Sequence, residues 1–288
     1  MSLPAPLAAQ SRARRAALRR RLEDLYRSFD RAYLETDPLA FVHRYDSDAD
    51  REIVGFLASG LAFGNVKAIQ ASLSRLLRSM GDSPSSFVDR FEPRRDAGVL
   101  SGTYHRWIRS SDLIAVLAVM RRMRERSGSI GAFFLEGYRP GDDDIGRSLA
   151  SFSERARALA PAAGREGGTV ASFFASPRDG SACKRLNLYL RWMVRDGDGL
   201  DLGIWKGISR RQLVLPLDTH LARLTRALGL TQRRSPGWRM AVEATRSLAL
   251  FDPDDPVKYD FSLSRLGILD LCLHGRDALS CRTCGPRV

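Results

Sequence analysis

Apolar residues recur along this chain at helical rather than strand spacing. Leu18, Leu22, Leu25 and Phe29 keep an i, i+4, i+7, i+11 face, which predicts a helix running to about residue 34. Ile53, Val54, Phe56, Leu57 and Leu61 predict a second, with Asp48 or Asp50 at its start. Ile69, Leu73, Leu76 and Leu77 mark a third over 67–80. Residues 112–126 read as a strongly apolar helix with a basic end, which suits the helix dipole. Shorter helices follow over 130–135 and 145–159, then one over 182–195, and the last two over 236–250 and 256–273. Few segments alternate with period two and no internal repeat is visible. The fold class expected is all-α. Residues 1–16 read as a basic, poorly ordered tail.

Two helix starts carry candidate chemistry. Pro216 interrupts what precedes it, because it lacks an N–H and biases Leu215 toward extended backbone. Asp218 then stands at an N-cap position, Leu221, Leu224 and Leu228 follow at helical spacing, and Gly229 supplies the stop. Asp218 is either a capping residue alone or a carboxylate pre-positioned for catalysis, with Thr219 and His220 beside it. The other start is the turn Pro177-Arg178-Asp179-Gly180-Ser181, which leads into a helix with Lys184 in its first turn. Backbone N–H groups at such a turn can bind phosphate. The positive end of the dipole, with Arg178 and Arg185 nearby, is expected to lower the Lys184 pKa and raise its nucleophilicity. Lys184, Asn187, Arg191 and Arg195 also form one polar stripe, which reads equally as a solvated face.

Charge narrows the partners. The 288 residues carry a net charge of +13, which favours polyanions: nucleic acid first, an anionic membrane second. Of the 46 basic residues only Lys67, Lys184, Lys206 and Lys258 are lysines. A genomic bias toward arginine explains that ratio but not the excess of base over acid. A lysine in so arginine-rich a chain points to amine chemistry, because guanidinium cannot form a Schiff base. No apolar run approaches the roughly 20 residues that span a bilayer, and no secretory signal is visible. A cytoplasmic, nucleoid-associated protein with no membrane partner is expected. Four cysteines do not make a disulfide framework in a chain of this length. Asp46, Asp48 and Asp50 lack the glycine and distal glutamate of a calcium loop and read as an acidic helix start. Trp107, Trp192 and Trp205 are either core residues or stacking partners for a flipped base.

Two blocks, Lys-Arg-Leu-Asn-Leu-x-Leu-Arg-Trp-Met-Val-Arg at 184–195 and Pro-Leu-Asp-Thr-His at 216–220, resemble an uncharacterised bacterial family, DUF2400-like, across most of the chain after residue 20. A lysine helix, an Asp-Thr-His helix start, then His274-Gly275-Arg276 and a cysteine pair: this order resembles the helix–hairpin–helix DNA glycosylase superfamily typified by endonuclease III. That resemblance implies a two-lobed fold with a DNA cleft. One lobe would be the central 67–217, and the other would be discontinuous, 17–66 plus 218–288. It implies Lys184 as the nucleophile at the deoxyribose and Asp218 as its electrostatic and acid–base partner. His220 would lie behind them, or be a packed helix histidine. Arg178, Gly180, Ser181 and Arg185 would bind DNA, and Phe63 and Asn65 would sit near the lesion, or else at a glycine-broken helix corner. The hairpin departs from the superfamily in keeping only Gly180 where two glycines are usual, and the stretch from Lys184 to Asp218 is longer than in endonuclease III, as it also is in some 8-oxoguanine-excising branches. An iron–sulfur cluster needs four thiolates, and the cysteine expected soon after His-Gly-Arg is absent. Cys272, His274, Cys281 and Cys284 are either an unligated remnant or, by ligand type, a zinc set. No cofactor is expected. The function implied is that of a monomeric base-excision glycosylase on damaged double-stranded DNA, with or without lyase activity. The alternatives are a nucleic-acid-binding protein on the same scaffold without catalysis, and an enzyme acting on RNA or a small substrate.

Overall fold

Short polar side chains set where the helices begin. The structure, a computed structural model, describes residues 4–161 and 169–268. The longer helices are α1 (Arg12–Ser28), α2 (Asp48–Gly60), α3 (Val66–Met80), α4 (Ser110–Ser127), α5 (Gly146–Ala158), α6 (Lys184–Val194), α7 (Thr219–Ala227), α8 (Trp238–Ala249) and α9 (Asp260–Ile268). Ser11, Asn65 and Asp218 each accept a backbone N–H of the following first turn and so cap α1, α3 and α7. The fold is all-α: 62% helix and no strand among the described residues. None of the described helices is long and apolar enough to cross a membrane.

Helix α2 is the hub. Ile53, Val54, Leu57 and Ala58 are fully buried, and α2 packs along α6. At Gly55 the two helices approach so closely that a Cβ would lie 2.8 Å from the Met193 methyl. Glu52, on the same helix and 4% exposed, accepts from the N–H groups of Ile130 and Gly131 at 2.8 and 2.7 Å and from Trp205 Nε1 at 2.8 Å. One buried carboxylate thus ties the 130–135 helix and the 205 loop to α2. Burial pushes its pKa up, against these hydrogen bonds.

Two expectations meet a different arrangement. The segment 4–16 is anchored rather than tail-like: Leu7 is 1% exposed, its N–H donates to Gly229 O at 3.0 Å, and α1 already starts at Arg12. Leu18, Leu22 and Leu25 draw that helix into the core, and the segment before it follows. The stripe Asn187, Arg191 and Arg195 is buried, not solvated. Arg191 pairs with Asp201 and Asp260, and Arg195 with Asp198, Asp201 and Asp255. Such burial is tolerated because each guanidinium donor faces a carboxylate. The buried hydrophobic residues form one cluster that runs from Leu7 to Leu266.

Candidate functional site

Helices α6, α7 and α9 and the segment after α2 surround a cleft of about 600 Å³ lined by Lys184 and Asp218 together. Its size falls in the range of sites that hold small molecules or single nucleotides. Lys184 is the first residue of α6, and Cys183 before it takes a left-handed conformation, φ 48°. The Lys184 ammonium donates to Ala62 O at 2.7 Å. Burial pushes the Lys184 pKa below the ordinary lysine range; the carboxylates of Asp218, Asp260 and Asp37 oppose this, and Arg185 adds to it. The expected direction holds, with burial rather than the neighbouring arginines as its main cause. Asp218 accepts Leu221 N–H on Oδ1 at 2.8 Å. Since asparagine caps a helix as well as aspartate, Asp218→Ala should lower stability by about 1 kcal/mol and Asp218→Asn by only a few tenths, read as thermal midpoints.

The floor of the cleft is ionic. Asp260, 1% exposed, accepts from Arg191, and Asp37 accepts from Arg265, which also donates to Thr36 Oγ1 at 2.8 Å. All five line the cleft. Burial pushes the Asp260 pKa up while Arg191 pulls against it. Sequence reasoning missed Asp37, Asp260, Arg191 and Arg265 as cleft residues. The available signal was the aspartate-rich stretch 252–260, following an arginine-bearing helix whose polar positions recur every four residues.

The other candidates divide. Phe63 lines the cleft, 4.4 Å between ring centroids from Trp107. Arg185 lines it too, but its guanidinium donates to Gly60 O and Ser172 O and lies 5.4 Å from the Phe63 ring centroid. Asn65 is exposed, and its side chain caps α3 through Lys67 N–H at 2.9 Å. Ser181 Oγ accepts Cys183 N–H at 3.1 Å. Gly180, at φ 75°, makes the tight turn, and its carbonyl accepts Trp238 N–H at 3.1 Å. Gly180 and Arg178 line a second groove of about 590 Å³ with Arg233, Arg234 and Arg239, and Pro236 borders both cavities. Arg178 is itself paired with Glu154. His220 is half-buried on α7, outside the residues lining the cleft, and its Nε2 has no hydrogen-bond partner among the described residues. Burial lowers its pKa. Trp192 and Trp205 are core residues, at 0% and 6% exposure, whereas Trp107 is 59% exposed. Cys272, His274, Cys281 and Cys284 lie outside the described residues.

No curated protein and no solved structure matches the chain. The family described as "Protein of unknown function (DUF2400)" matches residues 37–269. That span takes in the cleft from Asp37 through Lys184 and Asp218 to Arg265, and the chain belongs to the DUF2400 family.

Proposed function

We propose that this protein is a base-excision enzyme of the helix–hairpin–helix glycosylase kind and that its cleft takes a nucleotide turned out of a DNA duplex. The observation that carries the reading is the meeting of an amine and a carboxylate, Lys184 and Asp218, in one cleft. The turn Arg178-Asp179-Gly180-Ser181 before α6 stands in for the superfamily hairpin. In this reading the central lobe, 67–217, and the discontinuous one, 17–66 plus 218–288, grip the DNA from two sides.

The chemistry follows from the two groups. Lowering the Lys184 pKa raises the share of neutral amine, whose lone pair attacks C1′ of the deoxyribose. At an abasic site C1′ is an aldehyde carbon. Addition gives a carbinolamine, and loss of water leaves an iminium ion joined to Nζ. Asp218 stabilises the positive charge that develops at the sugar and relays the proton released by the amine. Arg185, held by the carbonyls of Gly60 and Ser172, lies against the Phe63 ring and opposes the pull of the three carboxylates on the Lys184 ammonium.

Borohydride trapping on duplex carrying an abasic site, 8-oxoguanine, an oxidised pyrimidine or uracil tests this. Wild-type protein should give a covalent adduct with at least the abasic substrate, and Lys184→Gln none. Tight binding with no adduct and no base release on any substrate would favour a binding protein on this scaffold. The net charge also predicts salt-sensitive affinity. Arg234 and Arg239, in the groove beside the turn, have no ion pair among the described residues. Replacing both with alanine should flatten the slope of log affinity against log salt by about 1–2, measured by fluorescence anisotropy on undamaged duplex. An unchanged slope would remove that groove from the DNA path.

A further inference from the structure

The geometry points to Trp107, backed by Phe63, as a stacking platform for an unpaired nucleobase at the mouth of the cleft, an inference that rests on the nucleic-acid reading above. Thr103 to Ile108 form a tight turn in which Thr103, His105 and Ile108 are buried while Tyr104, Arg106 and Trp107 face solvent. His105 and Ile108 exchange both backbone hydrogen bonds at 2.9 Å. The His105 ring, 2% exposed, bonds Phe63 O at 2.9 Å and Ser72 Oγ at 3.1 Å. Ile108 is fully buried, and Ser110 Oγ holds Thr103 O at 2.9 Å. These contacts fix the turn to the segment after α2 and to α3.

Against that fixed base, two features run counter to stability alone. Arg106 sits at φ 54°, a left-handed conformation that costs a side chain with a Cβ. Trp107 leaves 59% of its surface in solvent, although indole burial is favourable. The turn therefore presents the largest apolar side chain the chain can offer. It does so with an aromatic partner already in place: the Phe63 and Trp107 rings lie 4.4 Å apart by centroid at a tilt of 31°. Cationic groups flank the pair, Arg185 5.4 Å from the Phe63 centroid and Arg106 5.9 Å from that of Trp107. Both rings line the cleft that holds Lys184.

An aromatic pair with a guanidinium group beside each ring fits a base attached to a phosphodiester. Stacking reads the face of a base and not its hydrogen-bonding edge, so the platform adds affinity for unpaired bases with little preference among them. Base identity must then be read deeper in the cleft.

The test uses the full chain and a single-stranded oligonucleotide containing 2-aminopurine, whose fluorescence is quenched when it stacks. Wild-type protein should bind and quench. Trp107→Ala should bind roughly 5- to 100-fold more weakly and quench less, and Trp107→Phe should restore most of both. Because Trp107 is exposed, circular dichroism of Trp107→Ala should match that of wild type. Equal affinity and quenching in Trp107→Ala would overturn the platform and leave the enzyme reading standing. Failure of wild type to bind either this probe or abasic duplex would overturn both.

Discussion

Asp218→Asn is expected to slow adduct formation at an abasic site by roughly 10²–10³-fold in a single-turnover trapping assay. The variant isolates charge from structure, since asparagine still accepts Leu221 N–H and caps α7. What it removes is the anion that faces the developing positive charge at the sugar. The effect on Lys184 runs the other way. The Asp218 carboxylate raises the Lys184 pKa against the larger effect of burial, so its neutralisation lets that pKa fall further. The neutral amine becomes more abundant in the variant, and loss of rate cannot come from a protonated nucleophile. A pH–rate profile separates the two effects. Wild-type rate should rise with pH along a limb below the ordinary lysine range. In Asp218→Asn that limb should move to lower pH while the plateau drops. A limb that stays in place would mean that the two groups do not sense each other.

Arg191→Leu should be the most destabilising single change in the cleft. It leaves Asp201 and Asp260, both fully buried, without the guanidinium they share. Breaking one side of a buried ion pair costs about 3–5 kcal/mol, which lowers the thermal midpoint by on the order of 10 °C. The pH dependence has a definite sign. Both carboxyls already have raised pKa values in the folded protein, with burial as the main cause. Without Arg191 they rise further. A carboxyl whose folded pKa is raised favours the folded state when protonated, and that contribution is lost as pH rises from the unfolded pKa through the folded one. The deficit of Arg191→Leu relative to wild type should therefore shrink on acidification into the carboxylate range. Thermal melts at neutral pH and near pH 4 measure it, and a deficit that grows in acid would contradict the assigned pairing.

The parts of this fold legible in the sequence are those encoded locally. Pro216, Asp218, the leucines at helical spacing and Gly229 predicted helix α7 with its cap in the right place, because each acts within one turn of its own position. The same holds for the 130–135 helix and for α3, where expected and observed bounds differ by at most one residue. The stripe Asn187, Arg191 and Arg195 was not legible. Periodicity shows that a helix has a polar face but not what covers that face. Here the cover comes from Asp255 and Asp260, 60 and 69 residues further on. The cleft residue Asp37 escaped for the same reason, since its partner Arg265 stands 228 positions away. Packing of residues 4–16 depends on Gly229 and Gln232, which no local pattern around an arginine-rich start reveals. Of the site itself, the lysine and the aspartate were named from their helix starts. Their meeting in one cleft, the ionic floor and the exposed Trp107 are products of tertiary structure.

The chain contains four lysines, Lys67, Lys184, Lys206 and Lys258, so the site of covalent chemistry can be read without ambiguity. The most direct test is borohydride reduction of the complex with abasic duplex, followed by nuclease and protease digestion and tandem mass spectrometry of the modified peptide. A reduced sugar remnant on Lys184 is the predicted result. A remnant on the α-amino group or on one of the other three lysines, with Lys184 unmodified, would contradict it.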